Sequence, residues 1–170
     1  GPGNNQVSLH RLNPSGAQSS LVYGHHSGDS GTVGSTVHFT QPREMQDGRI
    51  ISVIRSFNSD SFGGNIVIID KDGFVESDQP IWADQGNTGA GQTPLTDTDI
   101  RTDDQRSPGG QYLAAYPLKD GSGRVLVSWS PCRVVDEEGL FQPCSIGPDD
   151  AELAPPLYGL WVFDTTENRS

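Results

Sequence analysis

The sequence has no run of about 18 or more apolar residues, so no stretch of it reads as a membrane-spanning helix. It opens with no basic-then-apolar leader either. Gly1-Pro2-Gly3 reads as the remnant of a cleaved tag, so the missing leader carries no information about export. Cations are scarce: 11 Lys and Arg face 22 Asp and Glu, a formal net charge of −11. A field of that sign repels phosphate backbones and anionic headgroups, which argues against nucleic acid and membrane surfaces as partners. Cysteine is limited to Cys132 and Cys144, with no Cys-x-x-Cys pair and no Cys-x-x-Cys-His haem attachment. Two states stay open, a pair of free thiols or a bridge. A bridge closes a short loop, contributes roughly 2–3 kcal/mol and points to an oxidising compartment.

No segment holds a helical apolar period over three turns, whereas Gly (21) and Pro (12) together make about a fifth of the chain. That balance favours short strands joined by many turns. At 170 residues the chain is long enough for one well-buried domain. Apolar or alternating runs, each bounded by Gly, Pro, Asn or Asp, lie at 21–23, 36–39, 49–54, 65–69, 111–116, 124–129 and 158–163. The expectation is an all-β fold.

An internal repeat organises these runs. Pro42, Gly48 and Arg49 recur as Pro117, Gly123 and Arg124, each 75 residues on, and Ile50-Ile51 then falls on Val125-Leu126. Each copy continues through a variable loop into an apolar strand ending in aspartate, "GGNIVIIDKDG" and "YGLWVFDTTEN". Asp70 and Asp164 are 94 apart, so the second copy carries an insertion of 19 residues between its strands, and this insertion contains Cys144. The pattern predicts two repeated antiparallel meanders resembling β-propeller blades, packed as a partial propeller or a small sandwich. The expected organisation is a tag remnant, edge strand and polar loop at 1–35, a first unit at 36–78, a long polar loop at 79–110 and a second unit at 111–170. Residues 73–77 are the expected fourth strand of the first unit. Leu21-Val22-Tyr23 is a candidate for the missing edge of the second.

The stretches "FTQPREMQDGRIISVIRSF…GGNIVIID" and "YLAAYPLKDGSGRVLVSWSPC…PPLYGLWVFD" resemble the TolB-like propeller blades of bacterial proteins related to the hydrazine synthase alpha subunit. The resemblance covers residues 36–77 and 111–168. It implies a blade-built fold in an exported protein, periplasmic or extracellular, often part of a much larger chain. It transfers no reaction, because hydrazine synthase works with c-type haems and this sequence has no motif to hold one.

Several residues carry candidate chemistry. "GHHSGDSG" contains a Gly-Asp-Ser-Gly like that around the serine of trypsin-like proteases, but the histidines stand only a few residues before Ser30, in a chain too short for the paired barrels that chemistry uses. His25, His26 and Asp29 are candidate zinc or copper ligands, with His10 and His38 as further donors. Adjacent histidines on an extended chain point to opposite faces, which favours a solvated loop instead. Asp97, Asp99, Asp103 and Asp104 are hard oxygen donors suited to calcium, without the glycine and terminal glutamate of an EF-hand loop. "DKDG" at 70–73 reads as a hairpin turn whose Gly73 allows a positive φ. Trp129 and Trp161 fall within strands and are expected in packing, whereas Trp82 stands in a polar loop as an anchor or a partner contact.

The function expected from these features is a non-catalytic scaffold or interaction module that recognises other domains of a parent chain, or a protein partner, through loops on rigid sheets. Exposed meander edges also allow self-association. The rivals are a structural part of a periplasmic redox or hydrolytic enzyme, and a metal- or glycan-binding module.

Overall fold

The computed structural model describes residues 8–24, 37–56, 63–96, 99–102 and 106–166. The fold is all-β. Strands β1 (Leu9–Leu12) and β2 (Ser19–Tyr23) form a hairpin. Strands β3 (Val37–Glu44), β4 (Ile50–Ser56), β5 (Asn65–Ile69) and β6 (Gln92–Pro94) form a sheet in that order, antiparallel throughout. A second antiparallel sheet has β8 (Arg124–Ser130) between β7 (Gln111–Pro117) and β11 (Gly159–Asp164). Within the long insertion, β9 (Arg133–Val135) and β10 (Phe141–Pro143) make a small hairpin.

The two meanders are the same unit. Ile50 pairs with Ile69, and its repeat partner Val125 pairs with Phe163. Ile51 pairs with Ile68, and Leu126 with Val162. Register is thus conserved at the offsets that the sequence repeat sets, 75 for the middle strand and 94 for the last. Gly48 and Gly123 both adopt positive φ, 86° and 71°, a conformation that costs a residue with a Cβ. The following arginines share surroundings. Arg49 N donates to Asp47 Oδ1 at 3.1 Å, and Arg124 N to Ser122 Oγ at 3.2 Å, with Ser122 exactly 75 residues beyond Asp47.

Pro42 and Pro117 are not structural equivalents. Glu44 pairs with Ile50 and Pro117 with Val125, so Pro117 stands where Glu44 does. Pro42 lies upstream in a bulge between Thr40 and Arg43, next to Gln41 at φ 52°. The β3–β4 connection is two residues shorter than the β7–β8 connection, so equal sequence spacing does not place the two prolines alike.

Alternation along these strands builds two cores. One face of the first sheet, with Ile51, Val53, Ile66 and Ile68, packs on Tyr112, Ala115, Val125 and Val127 of the second. The opposite face, with Phe39, Ile54, Val67 and Ile69, packs on Leu9 and Tyr23 of the β1–β2 hairpin and on Phe74. The first sheet is therefore the middle of three layers, which explains why β5 is buried on both sides. Backbone hydrogen bonds in both directions between Gly64 and Tyr112, at 2.9 and 2.8 Å, tie the two sheets together.

Three expectations change. The fourth strand of the first unit is Gln92–Pro94 and not 73–77, where Phe74 makes only an isolated bridge to Pro80. Leu95, directly after β6, is fully buried and donates its N–H to Ile66 O at 2.8 Å, which anchors this segment on the first sheet. Residues 79–110 are accordingly not all surface: Leu95 and Ile100 belong to the core between the sheets. Leu21-Val22-Tyr23 does not edge the second unit; it pairs with β1 beside the first.

Candidate functional site

Each unit has two faces, which can be named from the middle one. The front of the first sheet carries Ile51, Ile66 and Ile68 and receives the second unit; its back carries Ile54, Val67 and Ile69 and receives the hairpin. The repeat offsets transfer this naming. Leu126, Leu160 and Val162 are the front of the second unit, and Trp129, Trp161 and Phe163 its back. Trp129 and Phe163 do pack against the core between the two units. Front of one unit meets back of the next.

Among the described residues, nothing covers the front of the second unit. Ile66 and Ile68 are 0% and 9% exposed, whereas their equivalents Leu160 and Val162 are 77% and 60% exposed. Tyr116, opposite Leu126, adds an exposed ring, with the Arg43 guanidinium 4.9 Å from its centroid. The edge is open as well: β5 is flanked by β4 and β6, but β11 pairs with β8 alone among the described residues. An apolar strand with an unpaired edge is a template for pairing or packing with another chain. Tyr116, Leu126, Leu160 and Val162 were not singled out by sequence reasoning; the front positions became visible only once the first unit showed which face is covered.

Trp161 stays half exposed and meets Trp129 edge-on, centroids 5.7 Å apart, while Trp129 Nε1 donates to Gly109 O at 2.9 Å. Trp129 is thus partly buried against the core, and Trp161 packs on it while staying half exposed. Trp82 sits on the 3-10 turn Trp82–Asp84, 89% exposed, so it anchors nothing and its ring is free for contact.

His25, His26, Asp29 and Ser30 lie outside the described residues, as do Asp97, Asp103 and Asp104. Asp99 is exposed, and its backbone carbonyl accepts from Gly109 N at 2.8 Å. His10 Nδ1 lies 3.1 Å from Ser19 Oγ across the hairpin. His38 Nε2 accepts from Arg55 Nε; burial, then the Arg55 charge, lower its pKa. Among the described residues no three His, Cys, Asp or Glu side chains converge as a metal site. The "DKDG" turn is an Asx turn: Asp70 Oδ1 accepts from Asp72 N and Gly73 N at 3.2 and 3.0 Å. Gly73 does not take the positive φ expected of it; a Cβ there would lie 2.8 Å from Asp70 Oδ2 and would displace that carboxylate oxygen.

Cys132 and Cys144 are joined, their Cα atoms 5.4 Å apart, closing the ends of the β9–β10 hairpin. The two repeat turns meet at a crevice of about 340 Å³ lined by Met45, Asp47, Arg49, Leu118, Arg124 and Thr165. Each guanidinium there is matched by its own turn carboxylate, Arg49 to Asp47 at 2.7 Å and Arg124 to Asp120 at 3.2 Å. Hydrogen bonding to Arg49 lowers the Asp47 pKa, and hydrogen bonds from Ser122 hold Asp120 at about 2. The charges in this crevice are internally balanced.

No protein-family model, curated protein or solved structure matches this chain.

Proposed function

We propose that the chain is a non-catalytic, propeller-like scaffold or interaction module of an exported bacterial protein, built as part of a larger assembly and engaging its partner through the front of the second unit. One observation carries the reading. Equivalent positions of the same repeated strand are buried in the first unit and exposed in the second, on a face that remains apolar. An exposed apolar surface of this kind marks an interaction site. Rigid sheets held by two cores suit recognition by surface complementarity. The Cys132–Cys144 bridge supports an exported, oxidising location, and the resemblance to TolB-like blades supports the larger assembly.

The test is photo-crosslinking. A benzophenone amino acid replaces Leu160 in the chain exported to a bacterial periplasm, and a control places it at Glu138 in the exposed β9–β10 turn. The expected result is a discrete protein adduct at position 160 and none at 138. Equal labelling at both positions, or none at either, refutes the reading.

A further inference from the structure

We propose that the front of the second unit binds a second copy of this chain, head to tail, against the outward face of that copy's β1–β2 hairpin. The inference rests on the interaction-module reading and names the partner. Its basis is that the hairpin is itself the outer half of a third unit. Asn13 follows β1 as Asp70 follows β5, β11 ends at Asp164, and each of these side chains accepts hydrogen bonds inside its own turn, Asp70 and Asp164 from the amide two residues on and Asn13 from the amide four residues on. Asn13 Oδ1 accepts from Ala17 N at 3.0 Å and Ser15 Oγ at 2.9 Å. Asp164 Oδ1 accepts from Thr166 N at 2.9 Å and Thr166 Oγ1 at 2.7 Å. The strand that follows β1 pairs back on it antiparallel, as β6 pairs on β5.

Aligning these asparagine and aspartate turns makes Leu9, Ile66 and Leu160 one front position, and Leu12, Ile69 and Phe163 one back position. The front series is buried in the hairpin (Leu9), buried in the first unit (Ile66) and exposed in the second (Leu160). The back series runs the other way, exposed at Leu12, buried at Ile69 and half-buried at Phe163. Front-on-back packing is thus used twice inside the chain, leaving one unfilled front and one unfilled back among the described residues. Both unfilled surfaces are apolar where it matters: Leu160, Val162 and Tyr116 at one end, Leu12 and Leu21 at the other. A second copy continues an interface that the chain already makes. Because the two surfaces differ, the contact is heterologous, closing into a ring or running on as a chain of copies. The net charge of −11 on each copy opposes the approach, so association strengthens with salt.

Sedimentation equilibrium of the intact protein tests this, from about 1 to about 300 μM and at about 0.05 and 0.5 M salt. The expected result is reversible association, tighter at the higher salt. Val162→Glu at the front and Leu12→Glu at the back each weaken it by at least about tenfold. Both positions are solvent-facing, and circular dichroism checks that the variants keep their strands; Leu160→Gln and Leu21→Gln serve as milder replacements. The decisive sample mixes the front variant with the back variant, since one intact front–back pair remains and a 1:1 complex reappears. A chain that stays monomeric throughout overturns the second-copy assignment, while an adduct at position 160 with another protein would leave the module reading standing. Self-association that survives Leu12→Glu, or a mixture that gives no complex, also overturns it.

Discussion

Replacing Ile66 and Leu160 by alanine, one at a time, compares one structural position in two environments. Both occupy the front position of the third strand, directly opposite Val53 and Ser128 respectively. Ile66 is fully buried between two sheets, and removing three of its carbons leaves a cavity that close-packed neighbours cannot fill; such truncations cost about 2–5 kcal/mol. Leu160 is 77% exposed, so the same kind of truncation removes little buried area and is expected within about 0.5 kcal/mol of neutral. Urea denaturation followed by tryptophan fluorescence at about 1 μM, where association is minimal, reads both values. Ile66→Ala lowers the midpoint strongly with an unchanged slope, and Leu160→Ala leaves it in place. Comparable losses for the two variants would refute the reasoning, because they would mean that the front of the second unit is covered within the chain itself.

Removing the disulfide with the double variant Cys132→Ser, Cys144→Ser frees a short loop, with a sequence separation of 12, and is expected to lower stability by about 3 kcal/mol; denaturation midpoints with and without reductant check it. Gly48→Ala forces a Cβ into positive φ and is expected to cost about 1 kcal/mol, and Gly123→Ala costs more by the same assay, because its Cβ would also lie 2.8 Å from Thr166 Cγ2. Asp47 and Asp120 have folded-state pKa values below their ordinary ones, so their contribution is present above the unfolded pKa and lost as pH falls through the folded value. Carboxyl NMR titration should show Asp120 protonating near pH 2, and Asp120→Asn should flatten the acid limb of the stability profile.

The repeated units were legible because the turn chemistry and the strand pattern coincide: Gly48-Arg49 and Gly123-Arg124 sit at the turn, and branched residues follow at matching positions. The proline pair misled by spacing alone, since the connection from Glu44 to Ile50 is two residues shorter than that from Pro117 to Val125 and leaves Pro42 two positions upstream of the place that Pro117 holds. The hairpin's kinship with the third strands was hidden by His10 and Arg11 at positions that are apolar in the other units, and by asparagine in place of aspartate at the turn. Strand β6 escaped notice because Gln92-Thr93-Pro94 has no apolar alternation and depends on Leu95 next to it. The open surface was not readable from composition at all. Ile66-Val67-Ile68 and Leu160-Trp161-Val162 are equally apolar, and only the stacking of layers separates a buried strand from an exposed one.

Amide hydrogen exchange at low protein concentration compares β5 and β11 residue by residue. With β5 between two strands and β11 bonded to one among the described residues, amides at 66–69 should be protected nearly to the global limit, while protection at 159–164 should alternate, with the outward-facing amides exchanging fast. Uniform, equally strong protection along both strands would contradict a repeated unit left open at one end.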